Sequence, residues 1–133
     1  MNRLKLTDMG KFDKILVDAP CSSIGVIRKN PDIKYKYTAA DLSNNSTKQL
    51  ELLKTASCLL SETGRLVYSV CSTEPEEGEQ VVREFLKTAA DFRIIEDVKE
   101  EFLHPFMEKG FFRTYPHKHG MDGFFGVTLC RNR

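Results

Sequence analysis

The sequence predicts an α/β fold: strands running in parallel, an antiparallel hairpin at the C-terminal end of the chain, and helices on both faces of the sheet. Three observations carry that expectation. Short runs rich in branched side chains alternate with helix-length periodic segments in the order strand, helix, strand, helix, strand. The first two strand runs each stop at a polar or thiol-bearing group, and the tail offers two further extended runs.

Residues 12–17 (FDKILV) form an apolar run closed by Asp18, Ala19 and Pro20, which reads as a buried strand terminated by proline. Residues 22–37 lack periodicity and read as a loop. It holds Arg28, Lys29, Lys34 and Lys36 against a single acid, Asp32, with Tyr35 and Tyr37 interleaved. A helix is expected over about 38–61, because Leu50, Leu53, Ala56 and Leu60 share one face and Gly64 supplies a stop. Residues 65–70 (RLVYSV) are the second strand, ending at Cys71. Thr73, with Glu76 three residues later, suits a capping box opening the next helix. Its buried stripe is Val81, Val82, Phe85, Leu86 and Ala89. Residues 92–98 read as a third strand, and 111–115 and 124–130 as two more.

Sheets of this kind gather ligands beyond the carboxyl ends of their strands. Asp18 and Cys21 follow one strand and Cys71 the next. Consecutive strands are usually neighbours. These groups are therefore expected to face one crevice.

A length of 133 residues suggests one domain, and 41% hydrophobic composition fills a modest core. The formal net charge is only +1, so any nucleic-acid footprint must be local. No apolar stretch approaches the roughly 20 residues of a membrane helix, and none follows Met1 in the manner of a secretory signal. A reducing, cytoplasmic setting is expected, with the four cysteines as free thiols. Cys21, Cys58, Cys71 and Cys130 lack the C-x-x-C spacing of structural zinc, and no metal is expected. Cys58 and Cys130 read as packing residues. His117 and His119 have no cysteine pair nearby and read as solvated or hydrogen-bonded rather than ligating.

Asp18-Ala19-Pro20-Cys21-Ser22-Ser23 and Tyr68-Ser69-Val70-Cys71-Ser72 resemble the fourth and sixth motifs of the Sun (Fmu) family of S-adenosylmethionine-dependent RNA 5-methylcytosine methyltransferases. The stretch from Pro116 to Phe125 (PHKHGMDGFF) resembles that family's C-terminal signature. The three matches stand in the family's order and span nearly all of the chain from Phe12 onward. The resemblance implies the C-terminal half of a Rossmann-like class I methyltransferase sheet. Such a sheet runs 3-2-1-4-5-7-6, and this chain would supply 4-5-7-6.

The chemistry implied by the resemblance explains two thiols. Carbon 5 of cytosine is too weak a nucleophile to take a methyl group directly, and a thiolate adding to carbon 6 activates it. The resemblance assigns that thiolate to Cys71 and assistance in product release to Cys21. Asp18 would bond the cytosine amino edge or approach S-adenosylmethionine, with Pro20 beside it. RNA is the implied partner, ribosomal RNA ahead of tRNA. The electrostatics around Cys71 pull both ways: a helix start would lower the thiol pKa, while Glu74, Glu76, Glu77 and Glu79 would raise it. In the basic loop, cations for phosphates and aromatics for stacking suit RNA, with Arg28 the first choice of contact and Lys29 next. A merely solvated loop explains the same residues.

Departures from the family pattern are specific. No glycine-rich cofactor turn precedes Phe12, so residues 1–133 read as a partial catalytic domain lacking the cofactor-binding half. Val70 stands where threonine is usual, and Ser23-Ile24 where glycine-threonine is usual. The first strand would then be an exposed edge, inviting self-association, and the chain alone is expected to be inactive. Two rival readings remain: a non-catalytic RNA- or protein-binding half-domain, and a thiol-redox protein using Cys21 and Cys71.

Overall fold

The computed structural model describes residues 9–132. Strand β1 (Phe12–Asp18) leads through two 3-10 turns (Ile24–Val26 and Pro31–Tyr35) to helix α1 (Ala39–Leu59). Strand β2 (Leu60–Val70), helix α2 (Glu79–Thr88) and strand β3 (Phe92–Ile94) follow. A 3-10 turn (Glu101–Phe106) then leads to β4 (Met107–Glu108), β5 (Phe111–Thr114), the short helix α3 (Pro116–His119) and β6 (Phe124–Arg131).

β1 pairs with β2 in parallel, and β2 pairs with β6 antiparallel. Along its other edge β6 holds β5 and, further on, β3, both antiparallel. β1, β2 and β3 therefore run the same way, with β6 inserted between the second and third. The order β1-β2-β6-β3, with these directions, matches the 4-5-7-6 arrangement that the resemblance implies.

The core lies between one sheet face and the two long helices. From α2 it takes Val81, Val82 and Phe85, from α1 Leu53 and Ala56, and from the sheet Leu66, Tyr68, Val70, Val127 and Leu129. Each large apolar side chain buried in this way contributes about 1.5–3 kcal/mol. The predicted stripe of α2 holds, with Leu86 and Ala89 half-buried at its margin. Over the other face, Leu103 of the 3-10 turn and Ile95 and Val98 of the segment before it join Val67, Phe112 and Thr128 around a cavity of about 570 Å³.

Four local expectations are corrected. α1 ends at Leu59 and β2 begins at Leu60, so Gly64 lies inside the strand rather than stopping the helix. The ladder shows why: Phe12 pairs with Leu60 but Lys14 with Arg65, so β2 bulges between these pairs. Buried Gly64 packs there, where a Cβ would stand 2.7 Å from the Leu60 side chain. On α1, Gln49 is wholly buried while Leu50 is only half-buried. Thr73 and Glu76 form no capping box, because α2 starts later, at Glu79, behind an intervening turn. The capping box belongs to α1, where Thr38 and Asp41 satisfy each other's backbone amides. Finally, β3 is three residues long rather than the seven of 92–98, and its bonding to β6 ends with the Ile95 amide donating to the Thr128 carbonyl at 2.9 Å.

Candidate active site

Parallel pairing of β1 with β2 fixes the site. Asp18 lies opposite Ser69, and the ladder extends one bond further, from the Ala19 amide to the Ser69 carbonyl at 2.9 Å. Pro20 has no N–H to continue it, and the chain turns away. Beyond the same edge of the sheet stand Cys21 and Cys71, their sulfurs 3.2 Å apart and both half-buried. The two thiols are thus brought together beyond neighbouring strand ends, as their positions after consecutive strands led us to expect.

Three segments are sewn together at this point. The Gly25 amide donates to the Cys71 carbonyl at 3.1 Å, and the Gly123 amide donates to the Gly25 carbonyl at 2.6 Å. The C-terminal signature is thereby tied to both cysteine loops. Ser23 sits between Cys21 and Gly25 with φ of 60° and ψ of 23°, the left-handed conformation that glycine adopts without strain. That accounts for the glycine usual at this place in the family pattern. The Ser23 hydroxyl lies 3.5 Å from the Cys71 sulfur.

Burial, followed by the contact with Cys71, pushes the Cys21 thiol up to about 12, with the charges of Cys71 and Glu77 adding to the rise and a bond from the Ser23 backbone opposing it. At neutral pH Cys21 therefore keeps its proton, 3.2 Å from the Cys71 sulfur.

The four acids after Cys71 do not act as one repulsive cluster. Glu79 turns outward to Arg83 and Arg113, and the Arg83 hydrogen bond foremost holds its carboxyl below the usual range. Burial, with the charges of Glu76 and Glu77, raises Glu74. Glu77 turns inward and is wholly buried, accepting from the Ser22 amide at 2.8 Å, the Ser22 hydroxyl at 2.6 Å and the Asn45 amide at 3.1 Å. Sequence reasoning missed both Glu77 and Gln49, whose amide donates to the Pro20 carbonyl at 2.9 Å. Asn45, Gln49, Leu53 and Ala56 follow helical spacing, so a polar beginning to an apolar stripe was the one available signal.

The remaining expected residues stand further out. Asp18 is exposed at the end of β1 and accepts from the Ser69 hydroxyl at 3.3 Å, not from either thiol. Pro20 is exposed. Arg28 Nε and Lys29 Nζ both contact the Asp122 carboxylate, at 2.9 and 2.6 Å, and Arg28 also donates to the Gly120 carbonyl at 3.1 Å. Lys29 foremost, then Arg28, draws the Asp122 pKa down. A polar cavity of about 380 Å³ opens beside the first cysteine loop, lined by Ser22, Ser23, Asn30, Asp32, Lys36 and Tyr37 among others.

The family model described as 16S rRNA methyltransferase RsmB/F matches residues 2–130. The chain belongs to this family. It is 49% identical over 122 residues to the probable ribosomal RNA small subunit methyltransferase B of Coxiella burnetii, covering 91% of the chain and 27% of the relative. It is 39% identical over 122 residues to the corresponding probable enzyme of Bacillus subtilis, covering 90% of the chain and 27% of the relative. The crystal structure of NSun6 from Pyrococcus horikoshii with SFG superposes with a TM-score of 0.77 at 31% identity, over 96% of this chain and 32% of that one. The RsmB/F family chain thus spans about a quarter of the length of the curated relatives it matches.

Proposed function

We propose that this chain is the thiol-bearing part of an S-adenosylmethionine-dependent RNA (cytosine-5-)-methyltransferase acting on small-subunit ribosomal RNA. The observation that carries the reading is the 3.2 Å approach of the two motif sulfurs, one of them on a thiol that holds its proton. A pair with one protonated and one attacking member suits a reaction that needs both a nucleophile and a proton-handling group.

In this reading the Cys71 thiolate adds to cytosine C6, and C5 gains the nucleophilic character of an enamine. C5 then takes the methyl group, forming a C–C bond as the methyl–sulfur bond of the donor breaks. Water takes the C5 proton, whose bonding pair returns to the ring as the C6–sulfur bond breaks and releases the Cys71 thiolate. Cys21 serves this last stage by donating a hydrogen bond to the departing Cys71 sulfur, 3.2 Å away. When bound, S-adenosylmethionine supplies an electrophilic sulfonium methyl. The residues present fit its charged end: the exposed Asp18 carboxylate at the carboxyl end of β1 complements a cation, with the Pro20 ring beside it. In this reading the phosphates of the RNA meet Arg28 and Lys29, and the support is that both side chains, paired with Asp122, stay 45% and 65% exposed.

The test uses a full-length protein that contains this chain, with labelled methyl donor and a small-subunit rRNA transcript. Cys71→Ala is expected to abolish transfer, and Cys21→Ala to accumulate an RNA adduct stable in denaturing gels. Methylation surviving Cys71→Ala ends this reading.

A further inference from the structure

Among the described residues Glu77 is a wholly buried carboxylate that the thiol chemistry leaves unused. Such a group goes inside only when its oxygens are satisfied, and the choice of partners here is informative. Ser22, which supplies two of the three donors, is the residue directly after Cys21. Glu77 itself lies on the turn that Cys71 opens, and its backbone is fixed on both sides. Its amide donates to the Glu74 carbonyl at 3.1 Å, and its carbonyl accepts from the Tyr68 hydroxyl at 2.7 Å. The third donor, Asn45, comes from α1 and braces the junction from the helix side.

We propose that Glu77 is a positioning residue whose buried carboxylate locks the Cys21 loop onto the Cys71 segment and so sets the distance between the two sulfurs. An acceptor-only group with two oxygens matches the three converging donors, and charge-assisted bonds of this kind are the stronger ones. The inference rests on the proposed function only in treating Cys21 and Cys71 as the reactive pair.

The test needs neither RNA nor methyl donor, so its failure is distinguishable from failure of the methylation reading. The chain carrying Cys58→Ser and Cys130→Ser is treated with phenylarsine oxide. Both thiols add to the one arsenic with loss of water, and mass spectrometry follows the product. The parent is expected to bridge Cys21 and Cys71 rapidly, and Glu77→Leu to do so about tenfold or more slowly, because bridging depends on held geometry. Glu77→Gln is expected to restore bridging, its amide oxygen accepting from the Ser22 and Asn45 amides while its NH2 donates to the Ser22 hydroxyl. The same variant is expected to shift alkylation of Cys21 by iodoacetamide to lower pH, since a buried negative charge has gone. Should Glu77→Leu not fold, Ser22→Ala decides, with bridging slowed as one of the three bonds is lost. Native circular dichroism with bridging at the parent rate in Glu77→Leu or Ser22→Ala overturns the proposal, as does a Glu77→Gln chain that bridges no faster than Glu77→Leu.

Discussion

The Gly25 amide donates to the Cys71 carbonyl at 3.1 Å, and a Cβ built on Gly25 would stand 2.9 Å from that same oxygen and 1.9 Å from the Gly123 carbonyl oxygen. Both neighbours are backbone and belong to paired segments, so neither can step aside cheaply. Gly25→Ala is expected to destabilise the chain by about 3 kcal/mol. Gly126→Ala, whose nearest foreign atom would be 3.8 Å from the new carbon, should change stability by less than about 1 kcal/mol. Urea denaturation of the two variants checks the contrast.

Ser23 is held in the left-handed region at a φ of 60°. Ser23→Gly removes that strain, so the variant is expected to be more stable by about 1 kcal/mol, part of the gain being lost to the freer unfolded chain. A fall in the urea midpoint on this substitution would show that the contact of the hydroxyl with Cys71 outweighs the strain.

Cys21 links stability to alkaline pH. Its folded pKa is raised from 9.0 to about 12, first by burial and then by Cys71. Between these values the unfolded thiol has lost its proton and the folded one has not, so the folded state binds more protons and stability falls as pH rises. The contribution is complete below about pH 9 and is lost on approach to about pH 12. Cys21→Ala should lose less stability over that window than the parent, measured by denaturation at stepped pH. Parallel curves would contradict the assignment.

Arg28 and Lys29 share the Asp122 carboxylate. If they also meet RNA phosphates, Lys29→Ala should weaken binding uniformly across sequences and lower the slope of log affinity against log salt by about 0.7 for single strands. Asp122→Asn should strengthen RNA binding by releasing both cations. Titrations of a fluorescent oligoribonucleotide at several salt concentrations measure both effects, and an unchanged slope removes Lys29 from the interface.

Among the described residues β1 pairs along one edge only, and its Leu16 and Phe12 are 67% and 41% exposed. Such an edge pairs readily with another chain. Light scattering at micromolar concentration is expected to show self-association, reduced by Leu16→Lys. A clean monomer for the parent chain would refute this.

Local pattern made much of the fold legible. Branched runs marked β1, β2 and β6, the stripe Val81, Val82 and Phe85 marked α2, and the order of the elements brought Cys21 and Cys71 to one sheet edge. These depend on side-chain periodicity and chain connectivity, which a sequence carries directly. The boundaries were less legible. Gly64 resembles a helix stop by composition, but the bulge in the β1–β2 ladder absorbs it into a strand. Thr73 and Glu76 have the spacing of a cap, but α2 begins only at Glu79, beyond the turn that tucks Glu77 inside.

By itself the sequence determined the α/β class, the family resemblance and the pairing of two motif cysteines at neighbouring strand ends. Only the tertiary structure decided which of four nearby acids is buried, that Arg28 and Lys29 close on Asp122, and that burial pushes the Cys21 thiol up. The reason is physical: burial and charge pairing depend on groups that are distant along the chain. Ser22 and Glu77 stand 55 residues apart, and Arg28 and Asp122 stand 94 apart. No local pattern encodes such distances, which the packed sheet and helices alone set.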